Sequence, residues 1–96
     1  MDSILQNEKK CFYCGTTIGL ECHHVFGGNP NRKLSEEDGL KVWLCHTHHN
    51  EPPNGVHFNS QRMAWLKSFA QHEAMKYYNW TVEDFIKRYG KNYLEE

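Results

Sequence analysis

The 96-residue chain has no run of about 18 apolar residues, so it holds no candidate for a membrane-spanning helix. Residues 1–10 lack the apolar core of a signal peptide, and the expectation is a cytoplasmic protein. In that compartment four cysteines more often bind metal than form disulfides. A positive excess is missing too. Net charge is −1 with His neutral, which argues against a protein that coats DNA through bulk charge. Contact with nucleic acid would rest on local patches and a cation. There are no repeats and no low-complexity segments. What is present is 39% hydrophobic and 14% aromatic content, enough for a folded chain. The length suits one domain, residues 1–96, whose small core would gain from a structural metal.

The chain is rich in metal ligands. Residues 45–57 read C-H-T-H-H-N-E-P-P-N-G-V-H, and upstream lie Cys11-Phe12-Tyr13-Cys14 and Cys22-His23-His24. Thiolate and imidazole suit zinc and related transition metals, and one tetrahedral ion needs fewer ligands than these. Cys11-x-x-Cys14 and Cys45-x-x-His48 are two short-spaced pairs about thirty residues apart. Each chelates from a tight turn, and together they close a tetrahedron: a structural Zn²⁺ is expected. Cys22 is left as an inert packed thiol. His23, His24, His49 and His57 remain for a second, open site, where water and a phosphate oxygen would complete the shell. On a strand, the adjacent His23 and His24 point to opposite faces, so one can bind a cation while the other faces elsewhere, although at a twisted hairpin end both can address one cleft. A neutral imidazole is a suitable base for activating water. His46 and His72 read as surface or packing residues, and Trp43 as core.

The expected architecture is α+β. Residues 1–10 read as frayed or as one helical turn. Residues 17–20 and 22–26 read as two strands of a hairpin, 27–31 as a loop, and 42–45 as a strand. Residues 35–39 form a polar loop or one helical turn ending at Gly39. Pro52-Pro53-Asn54-Gly55 breaks whatever follows His48. Apolar residues at three-to-four spacing predict a helix over 60–78, from Met63, Leu66, Phe69 or Ala70, Met75 and Tyr77 or Tyr78, stopping at Asn79. Thr81 opens a second helix with Glu83 and Asp84 in its first turn; Val82, Phe85, Ile86 and Tyr89 form its apolar face, and Gly90 ends it.

Residues 11–57 resemble the HNH endonucleases through Cys11-x-x-Cys14, Glu21-Cys22-His23-His24-Val25-Phe26 and Leu44-Cys45-x-x-His48-His49. The resemblance implies a ββα-metal core with a zinc knuckle over residues 11–57, followed by a helical extension over 58–96. It implies that His23 and His49 ligate a catalytic cation (Mg²⁺, Mn²⁺, Ni²⁺ or Zn²⁺) and that His24 is the general base. His57 is the candidate third ligand, reaching back from a loop. Segments 55–57 and 85–93 further resemble small phage-encoded members. The family's fourth zinc position is usually Cys, and here it is His48. Its middle Asn is absent from residues 38–42, leaving Asp38, Asn50, Asn54 or Asn59 as candidates.

The implied activity is metal-dependent hydrolysis of DNA phosphodiester bonds in a bacterial or phage-infected cell, with a phage protein as a further partner class. Arg32 and Lys33, after the glycine-rich loop, are placed to grip a flanking phosphate. The alternative is a non-catalytic zinc adaptor that binds nucleic acid or a protein.

Overall fold

A computed structural model describes residues 1–94 as an α+β fold: a two-stranded antiparallel sheet with four α-helices. In chain order these are β1 (Leu20–His24), α1 (Asn31–Asp38), β2 (Lys41–Cys45), α2 (His46–Asn50), a 3₁₀ turn (Val56–Phe58), α3 (Ser60–Tyr78) and α4 (Val82–Tyr89). Among the described residues, no helix is long and apolar enough to cross a membrane. Residues 95 and 96, the end of the expected extension, lie outside the described residues.

The expected hairpin between residues 17–20 and 22–26 does not form. It would leave one residue for its turn, whereas the commonest hairpin turns need two. Residues 20–24 are instead one strand, paired with β2 in a register running from Leu20↔Cys45 to His24↔Lys41. Alternation along β2 sends Val42 and Leu44 into the core. Trp43 therefore faces outward, only half-buried, with the Lys9 ammonium 4.5 Å from its ring centroid. That corrects its reading as core.

The stretch read as a loop and a single turn forms the eight-residue α1. Its fully buried side chains are polar, Ser35 and Asp38, and hydrogen bonds hold them. Ser35 Oγ donates to the Phe26 carbonyl at 2.9 Å and accepts from the Phe26 amide at 3.1 Å. Asp38 accepts from Arg88 Nε at 2.5 Å, Arg88 Nη2 at 2.8 Å and the Tyr89 hydroxyl at 2.6 Å. One carboxylate thus ties α1 to α4, while Tyr78 of α3 donates to the Asp38 carbonyl. Gly39 ends α1 at φ +73°, where a Cβ would stand 2.6 Å from the Asp2 carbonyl oxygen.

That close approach belongs to an anchored N-terminal segment, not a frayed one. The Ile4 amide donates to Gly39 O at 3.0 Å, Ser3 Oγ to Lys41 O, and the Trp43 amide to Gln6 Oε1 at 2.9 Å.

α3 occupies the predicted residues and stops at Asn79, which adopts φ 58°. Asn59 caps its start, accepting from the Arg62 amide at 3.0 Å. The side of α3 turned inward carries Leu66, Ala70, Gln71 and Ala74; Tyr77 is exposed. Fully burying Leu66 is worth about 1.5–3 kcal/mol. In α4, Thr81 and Asp84 form a reciprocal capping box, and Phe85 and Tyr89 are the buried positions. Phe26 packs against Phe85, Tyr89 and Tyr93 at centroid distances of 5.4, 4.9 and 4.9 Å. A single core therefore joins the sheet to the C-terminal helices.

Candidate metal centres

The first centre brings together the four expected residues: Cys11, Cys14, Cys45 and His48, whose ligand atoms all lie within 4.8 Å of one another. Cys14 Sγ and Cys45 Sγ are 3.8 Å apart; His48 Nδ1 is 3.7 Å from Cys11 Sγ and 3.2 Å from Cys45 Sγ. Zinc–sulfur bonds of ~2.3 Å in a tetrahedron give sulfur–sulfur edges of about 3.8 Å, so the donor set has the right size. Charge agrees. Burial pushes the Cys11 thiol up, but backbone amides of Cys45, Cys14 and Tyr13 outweigh it and bring the pKa down to about 6. Burial, then the neighbouring Cys11 and Cys14, push Cys45 up. Thiolates repel one another here, and a divalent cation removes that repulsion. These four residues can bind a metal such as zinc.

The second group is His23, His49 and His57, again with ligand atoms within 4.8 Å of one another. His23 comes from β1, His49 from α2 and His57 from the 3₁₀ turn. Their rings form a nearly equilateral triangle, with centroids 5.1, 5.1 and 4.8 Å apart. His49 Nε2 and His57 Nε2 are 3.1 Å apart, a spacing two nitrogens take on one ion at ~2.1 Å. His23 Nε2 is buried with no hydrogen-bond partner. Burial, then the nearby His49 and His57, hold its pKa at about 3, so its nitrogen lone pair is free at neutral pH. A neutral imidazole whose Nε2 has no partner and that stands beside two other rings fits a cation, and three ligands leave positions open.

Glu21 orients this group. Its Oε1 accepts from His49 Nδ1 at 2.7 Å, which fixes the tautomer and leaves Nε2 bare toward the triangle. Asn50 Nδ2 bonds the same oxygen at 2.9 Å, and His46 Nδ1 the other at 3.1 Å. The hydrogen bonds from His49 and His46 hold Glu21 below the usual carboxylate range. The sequence reading gave Glu21 no role. Its signal was there: Glu21 is two residues before His23 on one strand, and so shares its face.

His24, next in the strand, turns away from the triangle yet borders the same cleft, which His23, His49, His57, Cys22 and Arg32 also line. Its Nε2 lies 2.9 Å from Glu36 Oε1. Hydrogen bonds from Lys41 and His24 bring Glu36 down to about 2, so it is a carboxylate that accepts the Nε2 proton. That leaves His24 Nδ1 bare.

Arg32 and Lys33 sit on α1, not on a loop. Arg32 faces both the cleft and an adjacent hollow; Lys33 lines the hollow alone. None of the four residues considered for the missing Asn faces His24. Asp38 is held by Arg88 and Tyr89, Asn50 bonds Glu21, Asn59 caps α3, and Asn54 does not line the cleft that His24 borders. Cys22 joins neither group, and burial raises its pKa. His46 and His72 are exposed and pair with Glu21 and Glu73. Comparison with protein-family models, curated proteins and solved structures returns no match.

Proposed function

We propose that the protein is a metal-dependent endonuclease of the HNH kind that hydrolyses DNA phosphodiester bonds. The observation carrying this reading is the open cleft in which His23, His49 and His57 converge beside a fourth histidine held by a carboxylate. A zinc scaffold alone needs only Cys11, Cys14, Cys45 and His48. A further support is that β2, paired with β1 across the intervening α1, leads directly into the short α2 bearing His48 and His49, as a ββα-metal core would require.

His23, His49 and His57 would hold the catalytic cation. Such an ion (Mg²⁺, Mn²⁺, Ni²⁺ or Zn²⁺) supplies charge to the scissile phosphate and to the leaving oxygen. The chain's own work falls to four groups. Glu36 keeps the proton of His24 on Nε2. His24 Nδ1 takes a proton from the attacking water. Arg32, bordering both cleft and hollow, binds a phosphate oxygen, and Lys33 extends the cationic edge outward. Glu21 holds His49 in its ligating tautomer.

The test is nicking of supercoiled plasmid with each cation, by the zinc-loaded parent and His24→Ala. Loss of a general base lowers the rate roughly 10²–10⁴-fold. His24→Ala cutting as fast as the parent refutes the base assignment. If no cation makes the parent cut DNA, the non-catalytic zinc adaptor becomes the reading.

A further inference from the structure

A second cleft, of about 480 Å³, opens where the zinc knuckle meets the start of α3, and no step above uses it. It is lined by Phe12, Tyr13, Asn59, Gln61, Arg62 and Trp65. Aromatic residues form its wall. Trp65 is 48% exposed although it is a large apolar side chain. One face of its indole is covered by Phe69, with planes 8° apart and centroids at 5.1 Å. Phe12 stands 6.3 Å away, tilted. A ring backed on one face and open to the cleft is a platform for another flat ring.

The polar groups at this wall narrow the choice of occupant. The Arg62 guanidinium lies 4.9 Å from the Tyr13 ring centroid and donates Nη1 to the Asn54 carbonyl at 3.0 Å. It is held in place with most of its N–H fork unspent. The Tyr13 hydroxyl is buried without a hydrogen-bond partner. The Gln61 amide is exposed at the rim. An apolar peptide would use the rings and leave the cation idle. A nucleotide uses both, with its base on the indole and its phosphate on the guanidinium.

The position along the chain agrees. His57, a candidate cation ligand, is five residues before Arg62, so the two backbones are at most about 17 Å apart. One bound strand a few nucleotides long can therefore reach from one to the other. Phe58, 58% exposed, stands between them in sequence.

We propose that this cleft is a stacking site for an unpaired nucleobase of single-stranded DNA. It deepens the nuclease reading by naming the kind of strand the protein holds, and it rests on that reading only for the strand's path.

The test is equilibrium binding of a labelled single-stranded thymidine oligonucleotide and of an abasic strand of equal length. It uses zinc-loaded protein with no other divalent ion, so it reads binding without cutting. The parent should prefer the base-bearing strand by roughly five- to 150-fold, the equivalent of ~1–3 kcal/mol for a stacked base. Trp65→Leu should abolish that preference, and Trp65→Phe should keep most of it, both retaining zinc and helical circular dichroism. Equal affinity of the parent for the two strands overturns the proposal. So does a Trp65→Leu protein that keeps the preference, or a parent that binds neither strand. Cutting of duplex plasmid without any base preference leaves the nuclease reading standing and this one refuted. Base-dependent binding without cutting by any cation does the reverse.

Discussion

An alanine methyl at position 55 would stand 2.7 Å from the Glu51 nitrogen, 2.8 Å from the Glu51 carbonyl oxygen and 3.0 Å from the Asn50 nitrogen. The backbone there, φ −64° and ψ 139°, suits any residue, so the difficulty is space alone. The opposing atoms are main chain at the end of α2 and cannot rotate aside. Ordinary contact begins near ~3.5 Å, so the two segments must part by about 0.5–1 Å. The bond from the Gly55 amide to the Glu51 carbonyl would be stretched and weakened, and the turn carrying His57 would move away from His49. Metal sites hold ligand distances to about 0.2 Å. Gly55→Ala should therefore weaken the second cation roughly 10–100-fold, the range seen when a ligand loses its support. Overpacking should also cost about 1–3 kcal/mol of stability, with ~4–8 °C of melting temperature per kcal/mol in a domain this small. The assay is calorimetric titration of Ni²⁺ or Mn²⁺ into zinc-loaded protein, with zinc measured by elemental analysis. Asp38→Asn controls for stability. It breaks the pair with Arg88 on the far side of α1, and because Arg88 is a third exposed the loss should stay near 1–3 kcal/mol. That variant should bind the second cation like the parent. A Gly55→Ala protein with parental cation affinity, or one that loses zinc along with the second cation, would refute the reasoning.

Cys14→Ser should leave the first centre one ligand short and unfold much of the domain; native helical circular dichroism and an unchanged melting temperature without zinc would contradict this. Glu21→Ala should lower second-cation affinity roughly 10–100-fold while zinc content stays constant, as calorimetry and elemental analysis would read. The third prediction concerns pH. The His23 pKa is about 3 in the folded chain against about 6.5 for a solvated histidine, so below pH 6.5 the unfolded chain binds a proton that the folded chain refuses. Its contribution to stability is complete above 6.5 and is lost as pH falls toward 3. Without added second cation, the stability of the parent relative to His23→Gln should therefore drop by about 1.2 kcal/mol between pH 6 and pH 5. Parallel pH profiles from denaturant titrations would show that His23 is solvated after all.

The ligands and the helices were legible because their signals are local. Two short-spaced pairs announce the first centre, and Met63, Leu66, Ala70 and Met75 keep rough helical spacing through α3. Thr81 and Asp84 mark the start of α4 three residues apart. The stretch around α1 was not legible, because nothing apolar on it repeats. Its inward residues are Ser35 and Asp38, and their partners lie nine residues back and fifty residues ahead. The strand pairing failed for a related reason. β1 meets β2 across the whole of α1, so a search for the nearest strand partner finds the wrong one. Glu36 escaped notice because only that helix carries it to His24.

α2 gives His48 to one centre and His49 to the other, with no residue between them. A helix of five residues does not persist unaided in water. Whatever order the first ion imposes on it is order that the second ion need not supply. Thermodynamic linkage makes the relation reciprocal: the factor by which zinc strengthens the second cation is the factor by which that cation strengthens zinc. Were both groups loaded, the two loadings would be cooperative, and a fall in zinc would weaken the second without touching any residue that lines it. One peptide bond would couple what would otherwise be two independent sites.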